Sequence, residues 1–82
     1  MPVVILYAKA GCHLCDEARE YLEDLAAFYA FTLDEIDIRR DDALFERYRY
    51  RIPVVTVNGV ERLEGRISAE DVAALGREFP RH

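Results

Sequence analysis

The stretch VVILYAKAGCHLC, Val3 to Cys15, decides the fold. Val3 to Tyr7 is a continuous β-branched and aliphatic run, too short for a buried helix and bounded by Pro2 and AKAG. It predicts a buried central strand. From Leu14 onward the spacing changes: Leu14, Ala18, Tyr21, Leu22, Leu25 and Phe28 recur at intervals of three and four, with Asp16, Glu17, Arg19, Glu20, Glu23 and Asp24 on the other face. That pattern predicts an amphipathic helix. Between strand and helix stand both cysteines of the chain, Cys12 and Cys15.

Working outward, FTLDEIDI (Phe31 to Ile38) alternates as a second strand, with a slip near Glu35 that predicts a bulge or an early strand end. Asp41 and Asp42 are candidate caps for a short helix through Tyr48, with Leu44, Phe45 and Tyr48 inward. In IPVVTVNGVERLEG (Ile52 to Gly65), Asn58-Gly59 favours a type I′ turn between two strands. The last element, ISAEDVAALGREF, has Ser68 as N-cap with Asp71 three residues later, Ile67 and Val72 placed for a hydrophobic staple, and Val72, Leu75 and Phe79 as its buried stripe. The order is β-α-β-α-β-β-α, an α/β fold. It predicts one four-stranded mixed sheet with helices on both faces, in a single domain over residues 1–82.

Hydrophobic residues at 51% and charged residues at 33% give the balance of an ordinary globular chain. A net charge of −5 supplies no footprint for a phosphate backbone, so nucleic acid is not an expected partner. The opening apolar run of about six residues is too short for a membrane span or an export signal. The expected compartment is therefore the cytoplasm, where thiols are kept reduced and a close Cys pair reads as redox or metal chemistry.

A thiol at a helix N-terminus faces unsatisfied N–H groups and the positive end of the macrodipole, which favour the thiolate of Cys12. Lys9 and a protonated His13 are candidates for lowering its pKa further. Cys15, one turn on and more enclosed, is placed to resolve a mixed disulfide. Asp16 and Glu17 act the other way, so the expected lowering is moderate. Two other readings compete. A zinc site needs about four ligands, and only His13 and distant His82 supplement the thiols. A Cu(I) carrier with this motif has a different element order, β-α-β-β-α-β, and a Met where this chain has Ala10. Carriage of an iron-sulfur group also falls within the metal reading. The remaining alternative is a binding module whose thiols are silent.

The Cys pair after the first strand, Lys9 ahead of it, Ile52-Pro53 opening the third strand, the Asn58-Gly59 turn and EGRIS before the last helix together resemble a glutaredoxin-like protein of the thioredoxin fold. GCHLCDEA is most similar to the small bacterial glutaredoxin-like group. The resemblance implies a thiol-disulfide oxidoreductase that reduces disulfides or glutathione mixed disulfides. It implies no bound cofactor, glutathione as a co-substrate and a cellular thiol reductant as a further partner. By the same resemblance Pro53 is cis and packs beside the cysteines. The Ile52 backbone would pair with bound substrate as an added strand. Lys9 would meet one glutathione carboxylate and Ser68 the other, with Gly65 counted among the substrate-binding residues.

Two departures bear on specificity. His13-Leu14 replaces the family's Pro-aromatic pair, and Glu64-Gly65 replaces its Gly-Gly, adding negative charge where an anionic tripeptide would bind. A protein disulfide and a different reductase partner stay open. Arg51, beside Ile52, is placed to help hold an anionic substrate, while Tyr48, Tyr50 and the neighbouring arginines read as a solvated flank. Glu61, Arg62 and Glu64 discourage pairing along the hairpin edge, and a monomer is expected.

Overall fold

Burial alternates along β1 (Val3–Ala8): Val4, Leu6 and Ala8 are buried on one face, and Ile5 and Tyr7 are half-buried on the other. The computed structural model, which describes residues 1–82, places this strand inside a sheet of order β2-β1-β3-β4. β2 (Thr32–Asp37) runs parallel to β1, while β3 (Val54–Val57) runs antiparallel to β1 and β4 (Val60–Glu64) antiparallel to β3. With α1 (His13–Leu25), α2 (Asp42–Tyr48) and α3 (Ala69–Gly76), the order is β-α-β-α-β-β-α, with a short 3₁₀ turn at Ile38–Arg40. No helix is long and apolar enough to cross a membrane.

One face of the sheet carries α1 and α3. α1 buries Cys15, Ala18, Leu22 and Leu25, with Leu14 and Tyr21 half-covered. Phe28 departs from the expected stripe and is 60% exposed. The helix ends at Leu25; Ala26 N–H still reaches Leu22 O four residues back (3.1 Å), but Ala27 and Phe28 bond three back, to Asp24 O (3.2 Å) and Leu25 O (3.0 Å). This tightened turn swings Phe28 off the buried face. α3 opens on a reciprocal capping box, with Asp71 N–H donating to Ser68 Oγ (3.0 Å) and Ser68 N–H to Asp71 Oδ2 (3.1 Å). Ile67 and Val72, either side of the cap, are both buried, as are Leu75 and Phe79. Gly76 sits against Leu25 so closely that a Cβ there would lie 2.5 Å from Leu25 Cδ1.

The other face carries α2, capped by Asp41, whose carboxylate accepts from Ala43 and Leu44 N–H. Tyr48 is buried, not part of a solvated flank, and its ring packs on Tyr7 with centroids 4.7 Å apart. Ile38 and Val54 complete this smaller core, while Tyr50 is exposed.

The expected irregularity near Glu35 has a different origin. The β1–β2 register runs unbroken from Val3 opposite Thr32 to Ala8 opposite Asp37, so no bulge interrupts it. Leu33 packs toward the larger core, and Glu35, two residues on and on the same face, is bound by Arg19 of α1. The bulge lies instead in the hairpin, where Val55 faces Leu63 and Thr56 faces Glu61. The turn itself has Asn58 at φ 51° and Gly59 at φ 84°, the two left-handed positions of a type I′ turn.

Candidate functional site

β1 ends at Ala8, and a loop through Lys9 and Gly11 delivers Cys12 to the N-cap of α1. Gly11 takes φ 78°, a left-handed conformation that glycine adopts without a Cβ penalty. Cys12 is extended, and its Sγ accepts the Cys15 backbone N–H at 3.2 Å, the position a serine or aspartate oxygen fills in an ordinary cap. Its carbonyl accepts from Asp16 N–H at 3.1 Å. The sulfurs of Cys12 and Cys15 meet as a disulfide, with Cα atoms 5.2 Å apart. Helical phase then separates their surroundings: Cys15 is fully buried in the core under α1, and Cys12 is partly exposed at its edge.

Strand register gathers further residues at this end of the sheet. Tyr7 pairs with Val54, which brings Ile52 and Pro53 beside the start of the cysteine loop, and Val54 pairs with Glu64, which brings Gly65 there. The Ile52–Pro53 peptide bond is cis and Pro53 is buried. Gly65 N–H donates to Pro53 O at 2.8 Å and to Arg51 O at 3.2 Å, tying the two loops together. Ile52 and Cys12 both pack on the rim of the larger core. Ser68 follows Gly65, its hydroxyl oxygen engaged by Asp71 N–H. Lys9 is exposed on the loop and has no carboxylate partner.

The charges around the pair are largely matched. His13, with its side chain 85% exposed, turns along the helix to Glu17, Nε2 to Oε2 2.8 Å. Asp16 meets Arg19 at 2.9 Å, and Arg19 also grips Glu35 with two bonds of 2.6 and 2.7 Å. Both acids of the first turn therefore have a partner, which weakens their pull against a Cys12 thiolate. Glu64 is likewise held, by Arg51 at 2.8 Å, and Arg51 also bonds Glu61. Arg51 pushes the carboxyls of Glu61 and Glu64 below the usual range. Glu61 accepts from the Tyr48 hydroxyl at 3.1 Å, and burial foremost raises that phenol. Arg51 is thus engaged with the hairpin instead of standing free for an anionic substrate. No three His, Cys, Asp or Glu side chains converge as a metal cluster would require.

Arg19 and its double role were not singled out in the sequence. Its spacing of three from Asp16 was visible as a helix pair; its bond to Glu35 depends on strand placement.

Residues 3–75 match the model of the glutaredoxin-like domain (DUF836). The chain belongs to this glutaredoxin-like family. A structural-genomics target protein from X. campestris, solved by X-ray, shares 32% identity over 94% of this chain and 99% of its own, with a TM-score of 0.74. Thioredoxin from Plasmodium falciparum, 19% identical over 99% of this chain and 74% of its own, superposes with a TM-score of 0.74. A mutant thioredoxin from Halobacterium salinarum is 22% identical over 95% of this chain and 71% of its own, with a TM-score of 0.66. The last two likenesses establish the thioredoxin-like fold of this glutaredoxin-like chain, whose Cys pair lies at disulfide distance.

Proposed function

We propose that this glutaredoxin-like protein is a thiol-disulfide oxidoreductase in which Cys12 attacks and Cys15 resolves. The observation that carries this reading is the contrast between a partly exposed Cys12 at the helix N-cap and a fully buried Cys15 one turn later. In the reduced protein the Cys12 thiolate attacks a substrate disulfide, forming a mixed disulfide with one half and expelling the other as a thiolate that takes up a proton. Cys15 then loses its proton and attacks the Cys12 sulfur, releasing the second half as a thiol and closing the Cys12–Cys15 bond. Two electrons have passed from the dithiol to the substrate. A cellular thiol reductant returns them, and glutathione is the proposed co-substrate.

The same N–H group that donates to Cys12 Sγ supports negative charge there while the thiolate waits. The Ile52 backbone, beside buried Pro53, is the proposed strand-like contact for substrate, with Gly65 leaving room for it. Lys9, the one cation of the cysteine loop and free of carboxylates, is the proposed counter-charge for an acidic group on the substrate, and Ser68 retains a hydroxyl hydrogen to offer another. Protein disulfides and glutathione mixed disulfides both fit this arrangement. A cytoplasmic monomer without nucleic-acid or membrane partners completes the proposal.

The test replaces Cys15 with serine, supplies oxidised glutathione or a disulfide protein, and maps adducts by mass spectrometry. A mixed disulfide on Cys12 is expected. Its absence under conditions where free glutathione exchanges would end the proposal.

A further inference from the structure

Phe28 is a large apolar side chain that the fold leaves 60% exposed, and it stands on a groove of about 380 Å³ between α1 and α3. Leu25 and Val72 form the buried floor, Ala69 and Ala73 keep the α3 side low, and the rings of Tyr21, Phe28 and Tyr29 line the other side. Arg77 and Arg81 close the far end. Neither has a carboxylate within ion-pair distance, a state shared by Arg40 and Arg66, which lie away from the groove, and not by the other six arginines. Arg81 lies over the Tyr29 ring, 5.3 Å from its centroid, fixed there by a backbone bridge between the two residues. Asp24 is the single acid of the lining, so the groove is net positive on a chain of charge −5. Tyr21 is nine residues along α1 from Cys12, roughly 13 Å at a helical rise of 1.5 Å per residue, so the groove lies away from the thiols, and it reaches the residues proposed for substrate only at Ala69, next to Ser68.

Aromatic rings and arginines around a desolvated apolar floor are the composition of energetic centres in protein interfaces. We infer that the α1–α3 groove docks a segment of a partner protein in which an apolar side chain is followed by carboxylates, the apolar group entering over Leu25 and Val72 and the carboxylates reaching Arg77 and Arg81. Charge complementarity selects this occupant: two unpaired guanidiniums at one end of an apolar trough favour an acidic end on what fills it. The inference is independent of the dithiol chemistry.

The test titrates the labelled 82-residue chain, by NMR, with a short acetylated peptide in which leucines are followed by glutamates. Amide shifts confined to Phe28, Tyr29, Ala73, Arg77 and their neighbours are expected, with weaker binding at high salt. Affinity should fall by about tenfold or more in Phe28→Ser and in the double charge reversal Arg77→Glu/Arg81→Glu. A peptide with lysines in place of the glutamates should bind the charge-reversed variant better than the wild type. Unchanged secondary-structure signals keep these variants comparable. Equal binding of acidic and basic peptides, or shifts away from the groove, would overturn the inference. So would sedimentation showing a dimer that Phe28→Ser dissolves, or decanoate shifting the same amides where the peptide does not, since those results assign the groove to a second copy or to a small apolar carboxylate.

Discussion

Cys12 caps a helix with sulfur, and that one substitution of element explains why a thiol here sits against the Cys15 N–H at the positive end of a helix, which favours its charged form. The opposing acids of the first turn are offset by pairing, Glu17 with His13 and Asp16 with Arg19. Replacing Arg19 with methionine frees Asp16, and the Cys12 thiol should become harder to ionise by about half a pH unit, the size of one charge acting through mostly aqueous surroundings. Adding Asp16→Asn should restore the original value. Thiolate absorbance titrated in a Cys15→Ser background reads both, and an unchanged value in Arg19→Met alone would remove Arg19 from this role. The cysteines, the cap and Ser68 were legible in the sequence because each acts through neighbours a few residues away. The bonds from Arg19 to Glu35 and from Arg51 to Glu61 and Glu64 were not, because they join residues sixteen and ten to thirteen positions apart that only sheet placement brings together.

The α1–α3 contact holds the helix that presents the cysteines, and at Gly76 it leaves no room for a Cβ against Leu25. Exchanging a helical glycine for alanine gains at most about 1 kcal/mol of helix propensity, and less at the last residue of a helix, where Gly76 stands. Here the new Cβ would drive into buried Leu25, and overpacking of this kind costs about 1–3 kcal/mol. Gly76→Ala should therefore destabilise by about 1 kcal/mol in urea unfolding, and Leu25→Val in the same chain should recover part of the loss, a coupling expected of touching residues. A stabilising Gly76→Ala would contradict the packing. Ser68→Ala, removing half of the capping box, should cost about 1 kcal/mol. The elements themselves were readable from period and caps. What period could not convey was where α1 stops: Phe28 continues the stripe in spacing but not in space, because the chain tightens after Leu25.

At the scale of the molecule, a web of ion pairs ties the hairpin to its neighbours. Arg51 depresses the carboxyls of Glu61 and Glu64, and Arg62 that of Glu78. A carboxyl whose folded pKa is lowered contributes stability that is present above its unfolded value and lost as pH falls through the folded one. Melting temperature should therefore hold from neutral pH to about pH 5 and fall below the ordinary glutamate value of 4.5. Arg51→Met should flatten that acid limb when melting is followed by circular dichroism, and an unaltered limb would show that the pairs contribute nothing. The whole fold was legible because β-α-β-α-β-β-α with a tight hairpin admits few sheets. The partner was not, since charges that look free in the chain, such as Glu64 and Arg51, are matched to each other in three dimensions. The central claim is the division of labour between the two thiols. It is tested most directly by treating the fully reduced protein with limiting iodoacetamide across a pH series and measuring the alkylation rate of each cysteine by peptide mapping. The account predicts that Cys12 is labelled far faster than Cys15, with a midpoint below the ordinary thiol value of about 8.5. Equal labelling, faster labelling of Cys15, or a Cys12 midpoint at or above that value would contradict it.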